Sequence, residues 1–425
     1  MVDQNHLLFI EGNWYGNDFT SLTPPFDNNM GYSFHHYVGP SHQTSWVNNY
    51  LSMRDQYNVP LWVGEFGENS NHWFHYKVNL FEQHDIGWSS WNYKHNGSIT
   101  PVMRVEVPES FQVILDYWNN TIQTITAEKV ETGLMDLAEA YRFENCTQNK
   151  GLLHAMTHPD FEIVSSPYEA ITIPATLEAV HYDMGANGVA YLDYTYEDPA
   201  KFSGDSESWN NGWAYRNDGV DIQTAQDTEG SSHNVGWLEN GEWMYYTVDV
   251  SVGGVYQVLC RAASQNNNGL LAISIPAQSQ EIIMEIPNTG GYQAWAWTEP
   301  DTMEIGPGPA LISMMVYSGG FNLKDIQITL ISGNNTLPDN FKILSYPNPF
   351  NSTTTFLIPD GVKFQRIKII DVNGASIQDS GKGLPLRNAF WNGRNESDIP
   401  AVSGVYFYEI EIANRMYNGK MTLIR

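Results

Sequence analysis

Glu65 is the residue in this chain best placed to do chemistry. It lies in Pro60-Leu-Trp-Val-Gly-Glu-Phe-Gly67, at the end of the apolar run Leu61 to Val63 and between Gly64 and Gly67. A buried strand that ends in a glycine-rich turn presents its last carboxylate at the mouth of a parallel barrel, where (β/α)8 enzymes keep their chemistry. Aromatic residues surround it in sequence, and a second short run, Ile86-Gly-Trp-Ser-Ser-Trp-Asn92, follows about one βα unit later. An ionised nucleophile among apolar faces that can pack on sugar rings is what glycoside cleavage requires.

The elements that must position Glu65 recur at even spacing. Strand-like runs occur at Leu7 to Ile10, Gly31 to Phe34, Leu61 to Val63 and Ile86 to Trp91. Helical spacing falls between them: Trp46, Tyr50 and Arg54 on one face, then Trp73, Lys77 and Phe81 with Leu80 alongside. Such alternation predicts parallel strands with crossover helices. Four units are present, whereas a closed barrel needs eight. Two trailing helices are expected near Glu109 to Trp118 and Ala127 to Tyr141, the second with Val130, Leu134, Leu137 and Tyr141 on one face.

From about Pro174 the periodicity becomes two. Leu271, Ile273 and Ile275 alternate with Ala272 and Ser274, and Ile312, Met314 and Val316 alternate likewise. Short strands separated by Gly, Asn and Pro predict an antiparallel β-sandwich over 174–331. Residues 332–340 read as a linker by composition. Charge then changes sign: 341–425 hold 10 Lys and Arg against 7 Asp and Glu, +3, while the remainder has 11 against 41, −30. A third module over 341–425 follows from that shift. Its strands are Arg366 to Ile370 and Gly404 to Ile412, and the first module then spans 1–168.

Composition narrows the partners. With 48 acidic and 21 basic residues among 425, the chain repels nucleic acid and anionic lipid. A solubility or salt adaptation would give the same charge. The 14 Trp, 24 Tyr and 18 Phe suit neutral polyhydroxylated ligands. Cys146 and Cys260 make no disulfide framework, and Cys260 shares a strand face with Tyr256 and Val258, as a small core residue would. No Lys or Arg precedes Arg54, and the longest early apolar run is Leu7 to Ile10, so neither a secretory signal nor a membrane span is expected here.

Residues 5–150 resemble the C-terminal half of the catalytic barrel of glycoside hydrolase family 5, cellulase-like members in particular. The likeness is carried by Phe9-Ile-Glu-Gly-Asn-Trp14, Tyr32-Ser-Phe-His-His-Tyr37, Val63-Gly-Glu-Phe-Gly67 and Gly87-Trp-Ser-Ser-Trp-Asn-Tyr-Lys94, in family order on strands five to eight. The resemblance implies that Glu65 is the nucleophile of a retaining mechanism. It implies that Tyr37 keeps Glu65 ionised, that His35 lines the subsite, and that Trp91 is a sugar platform. His36 should point to the opposite face, and Glu68 should cap or charge the next helix; Glu11 lines the cleft or is structural, the latter reading being preferred. The family's acid/base is a Glu after Asn on strand four, and no Asn-Glu-Pro occurs here. With strands one to four also unmatched, a longer coding region before Met1 is the expectation, and the chain as written should turn over glycan poorly or not at all.

The middle segment resembles carbohydrate-binding module family 6 through Tyr215-Arg-Asn-Asp-Gly-Val-Asp-Ile222, Asn234 to Tyr246, Thr289 to Trp297 and Gly320-Phe-Asn-Leu-Lys-Asp325. The resemblance implies a sugar ring sandwiched by Trp237 and Trp295 and hydrogen-bonded by Asn322. Trp243 is expected in the core, and Trp297 in the core or as a second platform. No cofactor is implied except a structural calcium, and Glu178-Ala-Val180 lacks one of the family's carboxylates, leaving Glu178 and Asp325 as a weak site. The last segment resembles the C-terminal sorting domain of the type IX secretion system, an immunoglobulin-like sandwich. Tyr346-Pro-Asn-Pro-Phe-Asn351, Asp371-Val-Asn-Gly374, Trp391-Asn-Gly-Arg394, Ser403-Gly-Val-Tyr406 and Lys420 to Arg425 carry it.

The fold class expected is thus multidomain: a partial (β/α)8 barrel, a jelly-roll β-sandwich and an immunoglobulin-like β-sandwich. The implied protein is a secreted or cell-surface polysaccharide hydrolase, an endo-β-1,4-glucanase with retention. Its partners would be β-glucan or a related plant or algal polysaccharide and the type IX machinery. Mannan, xylan and agar stay open as substrates. The alternatives are a non-catalytic glycan-binding protein with a vestigial barrel and a surface protein dominated by its last domain.

Overall fold

The computed structural model describes residues 5–37, 39, 44–194, 209–266, 268–333, 342–357, 364–380, 390–412 and 415–425. The chain divides into two units: Met1–Phe161 with Thr195–Val220, and Glu162–Tyr194 with Asp221–Arg425.

The first unit is built on a four-stranded parallel sheet in sequential order, β1 (Leu8–Glu11), β2 (Met30–His36), β3 (Leu61–Gly67) and β4 (Gly87–Trp91). This is partial barrel-like β/α architecture. A one-turn element, α1 (Asn13–Gly16), follows β1; α2 (Asn48–Tyr57) links β2 to β3, and α3 (Asn71–Gln83) links β3 to β4. Tyr32, Phe34, Val63 and Phe66 from the strands pack with Trp73, Phe74 and Phe81 of α3, all essentially excluded from solvent. The helical face at Trp46, Tyr50 and Arg54 does turn inward: both aromatics pack on this core, and Arg54 Nη1 donates to the His84 carbonyl at 2.6 Å.

Two expectations about helices fail in part here. Ser70, not Glu68, caps α3: its side chain accepts the Trp73 N–H at 3.1 Å, while Glu68 is exposed with a left-handed φ of 53°. In the helix Ala127–Ala140 the inward position is Gly133, whose missing side chain lets Ser110 of the helix Glu109–Trp118 approach; Leu134 is exposed. Hydrophobicity pointed to Leu134, but close helix packing favours the small residue next to it.

The second unit holds antiparallel sheets consistent with a β-sandwich. One sheet runs Tyr191–Leu192, Trp243–Val250, Gly308–Ser318, Gly269–Ile275, Gln280–Ile286; the other runs Ile222–Thr224, His233–Val235, Phe321–Gly333, Gly254–Ser264, Ala296–Trp297. Leu271, Ile273 and Ile275 are buried, as are Ile312, Met314 and Val316, in keeping with their period of two. Cys260 lies with Tyr256 and Val258 in this core, where burial pushes its thiol up to about 12. Ser332 and Gly333 belong to the strand Phe321–Gly333 rather than to a linker; 334–340 lie outside the described residues. Further on, Ser376–Asp379, Phe364–Asp371, Gly404–Ile412 and Arg415–Leu423 form an antiparallel sheet over a core that includes Trp391, Tyr408 and Ile410.

Candidate functional site

The carboxyl ends of β1, β2 and β3 bring four polar side chains together: Glu11, His35, Tyr37 and Glu65. A register shift between Phe34 and His35 sets His35 beside Glu65. Glu65 Oε2 accepts a hydrogen bond from Tyr37 Oη at 2.7 Å and lies 3.4 Å from His35 Nδ1. On the other side of the ring, Nε2 of His35 is 3.2 Å from Oε1 of Glu11. Burial raises the Tyr37 phenol well above its usual range, and the hydrogen bond to Glu65 and the nearby acidic charges add to that. The phenol therefore stays a donor at every physiological pH. Glu65 is one-third exposed, so a ligand can reach it.

Glycines shape the wall around this cluster. A Cβ on Gly64 would stand 2.4 Å from Ser33 Oγ, and one on Gly67, at φ 151°, 2.1 Å from the Trp91 carbonyl oxygen. The register pairs Gly67 with Trp91, so the bare backbone of β3 lets the end of β4 close in. Trp91 is 44% exposed there, and the peptide bond that follows it is cis. His36 points away, as strand alternation requires. It stacks on Trp46 at 3.6 Å and on Trp73 at 5.5 Å, and burial followed by the charge of Lys77 lowers its pKa to about 3.

Sequence reasoning left Glu11 either lining the cleft or structural, with the structural role preferred. Glu11 ends β1 level with Ser33 and Trp62, whereas Glu65 pairs with His35 further along, so strand position alone gave no signal of their link. The structure joins Glu11 and Glu65 through the two nitrogens of one imidazole.

In the second unit Asn322 is the hub of a loop cluster. It is buried, its Nδ2 donates to the Tyr292 carbonyl at 2.7 Å, and a Cβ on Gly236 would be 3.1 Å from its Oδ1. Gly236 leads into Trp237, which is 47% exposed with a left-handed φ of 52°. Tyr292 leads to Trp295, half-buried with Lys324 Nζ 5.8 Å from its ring centroid. Asn322 thus touches both loops that carry the two indoles. Behind them Asp227 Oδ2 accepts from Arg261 Nη2 at 2.7 Å and Lys324 Nζ at 3.0 Å. Burial pushes the Asp227 carboxyl up, but those cationic partners outweigh it and bring it down to about 2.

One aromatic assignment changes. Trp243 is not in the core: its strand buries Met244, Tyr246 and Val248, so Trp243 is half-buried on the opposite face, 4.4 Å from Tyr245. Trp297 is half-buried under the Arg261 guanidinium, 5.6 Å from the ring centroid.

Glu178 and Asp325 are register partners that share Ser231, whose hydroxyl donates to Glu178 Oε2 at 2.8 Å and whose N–H donates to Asp325 Oδ1 at 3.3 Å. Asp325 Oδ2 is buried without a hydrogen-bond partner, and burial raises the pKa of this carboxyl. Calcium takes 6–8 oxygens. Among the described residues no cluster of three or more His, Cys, Asp or Glu could hold a metal. Glu178 and Asp325 together supply at most four carboxylate oxygens, short of that number.

Comparison with known proteins finds two families along the chain. Residues 1–97 match the model of cellulase (glycosyl hydrolase family 5), and residues 213–330 match that of carbohydrate binding module (family 6). The clotting factor G alpha subunit of Tachypleus tridentatus is 26% identical over 210 residues, 48% of this chain, and the chain covers 28% of that relative's length. Among solved structures, the carbohydrate binding module from Cellvibrio mixtus lichenase 5A in complex with cellotriose is 26% identical. It covers 37% of this chain and 98% of its own, with a TM-score of 0.27. The C-terminal family 6 module of a marine laminarinase from Zobellia galactanivorans is 25% identical over 36% of this chain and 98% of its own, with the same TM-score of 0.27. The chain joins a family-5-like cellulase region to a family-6-like carbohydrate-binding module. Among the described residues no helix is long and apolar enough to cross a membrane.

Proposed function

We propose that the chain belongs to the degradation of a β-linked glucan, with Glu65 as the nucleophile of a retaining glycoside hydrolase and the Asn322 loops as a glycan-anchoring site. The observation that carries this is the hydrogen bond of Tyr37 to Glu65: a half-buried phenol donating to a part-exposed carboxylate stabilises the anion that must attack a sugar C1. Trp91, on the strand beside it, offers a ring face to the sugar. In the module, Trp237 and Trp295 would take the two faces of one pyranose, and the Asn322 amide would meet its hydroxyls. In this reading 1–168 carry the chemistry as the last four units of a barrel, 174–331 bind glycan, and 341–425 form an immunoglobulin-like domain. The third domain would direct secretion to the cell surface through the type IX machinery.

Full hydrolysis also needs a protonated acid next to the nucleophile. The nucleophile can be tested without one. A 2-deoxy-2-fluoro-β-cellobioside bearing dinitrophenolate loses that anion unaided: a Glu65 oxygen bonds to C1, the C1–O bond breaks, and the electron pair leaves with the phenolate. The expected result is a stable glycosyl ester on Glu65, located by peptide mass spectrometry, and no ester in Glu65→Gln. An ester on Glu11 instead, or none on any residue, would overturn the assignment.

A further inference from the structure

We propose that Asn217 is a positioning residue for Glu65, and that residues 209–220 complete the face of the first unit on which Glu65 stands. The proposal deepens the reading of Glu65 as a glycosidase nucleophile and rests on it for the reaction that is served.

The observation is a mismatch between sequence and fold. The match to the family 6 module begins at residue 213, yet Thr195–Val220 belong to the unit built on the parallel sheet. Residues 209–220 form neither helix nor strand, and Arg216 to Val220 are nevertheless buried. A buried irregular segment must find partners for its polar groups, and Asn217 finds them on the loop that leaves β3. Its carbonyl accepts from the Asn71 N–H at 2.9 Å. That N–H opens α3, where the helix itself offers no acceptor. Asn217 Nδ2 donates to the Asn69 carbonyl at 2.8 Å and to Asn71 Oδ1 at 3.1 Å. Asn69, Asn71 and Asn217 are all buried, and Asn217 Oδ1 has no hydrogen-bond partner. Turning the amide over would set that oxygen against the Asn69 carbonyl, so the two donors fix its orientation. An aspartate there would bring a buried charge and lose both donors.

The segment is braced where it docks. Arg216 Nε donates to Asp218 Oδ2 at 2.9 Å, Asn210 Nδ2 donates to the Asp218 carbonyl at 2.8 Å, and Arg104 Nη1 donates to the Tyr215 carbonyl. From this clasp the path to the nucleophile is short. Asn69 Nδ2 donates to the Tyr37 carbonyl at 3.5 Å, a long hydrogen bond, and Trp73 Nε1 in the first turn of α3 donates to the Gly39 carbonyl at 3.0 Å. The start of α3 therefore holds the chain that leaves β2 at two points, and the Tyr37 phenol at the first of them reaches Glu65 at 2.7 Å. Loosening the start of α3 frees that chain, and the phenol moves with it. A misplacement of about 1 Å in a group that orients a reacting atom slows the chemical step far more than it weakens binding.

Ester formation by the fluorinated cellobioside on the full chain tests this, because its maximal rate reports the step of the bound reagent and its half-saturating concentration reports binding. With Asn217→Ala we expect the maximal rate to fall about tenfold, as the loss of one or two buried hydrogen bonds implies, and the half-saturating concentration to stay within about twofold. Asn71→Ala removes only one of the three bonds and should fall about threefold; it keeps the test open if the first variant does not fold. Ile114→Ala opens a cavity against Gly133 of the facing helix, and should lower the melting temperature without slowing the step. Hydrogen exchange over residues 65–71 is a second readout that needs no reaction: it should quicken in Asn217→Ala and not in Ile114→Ala. An unslowed step in the folded Asn217→Ala or Asn71→Ala protein overturns the positioning role and leaves Glu65 as the nucleophile. Weaker binding at an unaltered maximal rate, or equal slowing by Ile114→Ala, overturns it too. A parent chain that forms no ester on Glu65 removes the nucleophile instead; quickened exchange then still supports the clasp of Asn217 on this loop, and unaltered exchange overturns that as well.

Discussion

At the scale of single residues, two protonation states carry the consequences. Tyr37→Phe removes one donor from the Glu65 carboxylate with little change in shape. A hydrogen bond to a charged group contributes about 1.5–3 kcal/mol, so ester formation by the fluorinated cellobioside should slow by roughly tenfold or more. An unaltered rate would remove Tyr37 from the mechanism. Glu242 governs stability rather than chemistry. It is buried, and burial followed by the nearby Asp193 carboxylate raises it from 4.5 to about 8, against the backbone N–H groups of Glu239 and Tyr194 that favour its anion. The folded chain holds a proton that the unfolded chain has released between those two values. Its contribution to stability is therefore complete below about pH 4.5 and is lost as pH rises through about 8. Glu242→Gln, which copies the neutral acid, should melt like the parent at pH 5 and be more stable at pH 8.5 by roughly 4 kcal/mol. Identical melting differences at the two pH values would show that Glu242 does not titrate in this window.

At the scale of elements, the strands that carry Glu65 are set by what they leave out. A methyl group at Gly64 must displace Ser33, and one at Gly67 must displace the Trp91 backbone. Overpacking of that kind costs about 1–3 kcal/mol. Gly67→Ala should accordingly lower the melting temperature and shift the fluorescence of Trp91, while Gly97→Ala, in open space though with φ 72°, should leave that indole unmoved. A Gly67→Ala protein with the parent's melting curve would refute the close approach. Much of this was legible in the sequence, because periodicity reports burial. The runs at Leu61 and Ile86, the spacing of Trp73, Lys77 and Phe81, and the alternation at Leu271 all state which side faces the core. The grouping of Glu65, His35 and Tyr37 was implied by the family resemblance of the segments that carry them. Other features were hidden because they depend on contacts far apart in sequence or on the backbone. Gly133, Ser70 and the outward face of Trp243 belong to the first kind. The left-handed turn at Trp14 belongs to the second, since no hydrophobic pattern encodes a positive φ. Hydrophobicity also misled at Leu134, which lies one residue from the true contact.

At the scale of the whole molecule, a candidate catalytic cluster and a candidate glycan site lie in different units of one chain, so their losses should separate. Stacking a ring between Trp237 and Trp295 would bury both of its faces, and truncating an anchoring aromatic at a binding site costs about 2 kcal/mol or more. The Trp237→Ala, Trp295→Ala double variant should therefore lose most of its retention on insoluble β-glucan. Asn322→Ala should lose binding by about 1–3 kcal/mol, since its amide sits where both loops meet. Neither change should alter the rate at which the small fluorinated cellobioside esterifies Glu65. Salt supplies an independent check on what the surface recognises. The chain carries a net charge of −27, so a charged ligand would be attracted or repelled over a Debye length of about 10 Å at 0.1 M salt, and its affinity would move steeply with ionic strength. Neutral glucan exerts no such force, and its stacking and hydrogen-bond contacts are short in range. Calorimetric titration of the full chain with cellohexaose at 20 mM and 500 mM salt, both values set for the experiment, should return dissociation constants within about twofold of each other. A tenfold change would point to charged groups in the ligand site and away from the Trp237, Trp295 and Asn322 loops. If the double variant binds as the parent does, the glycan is held on another face of the sandwich.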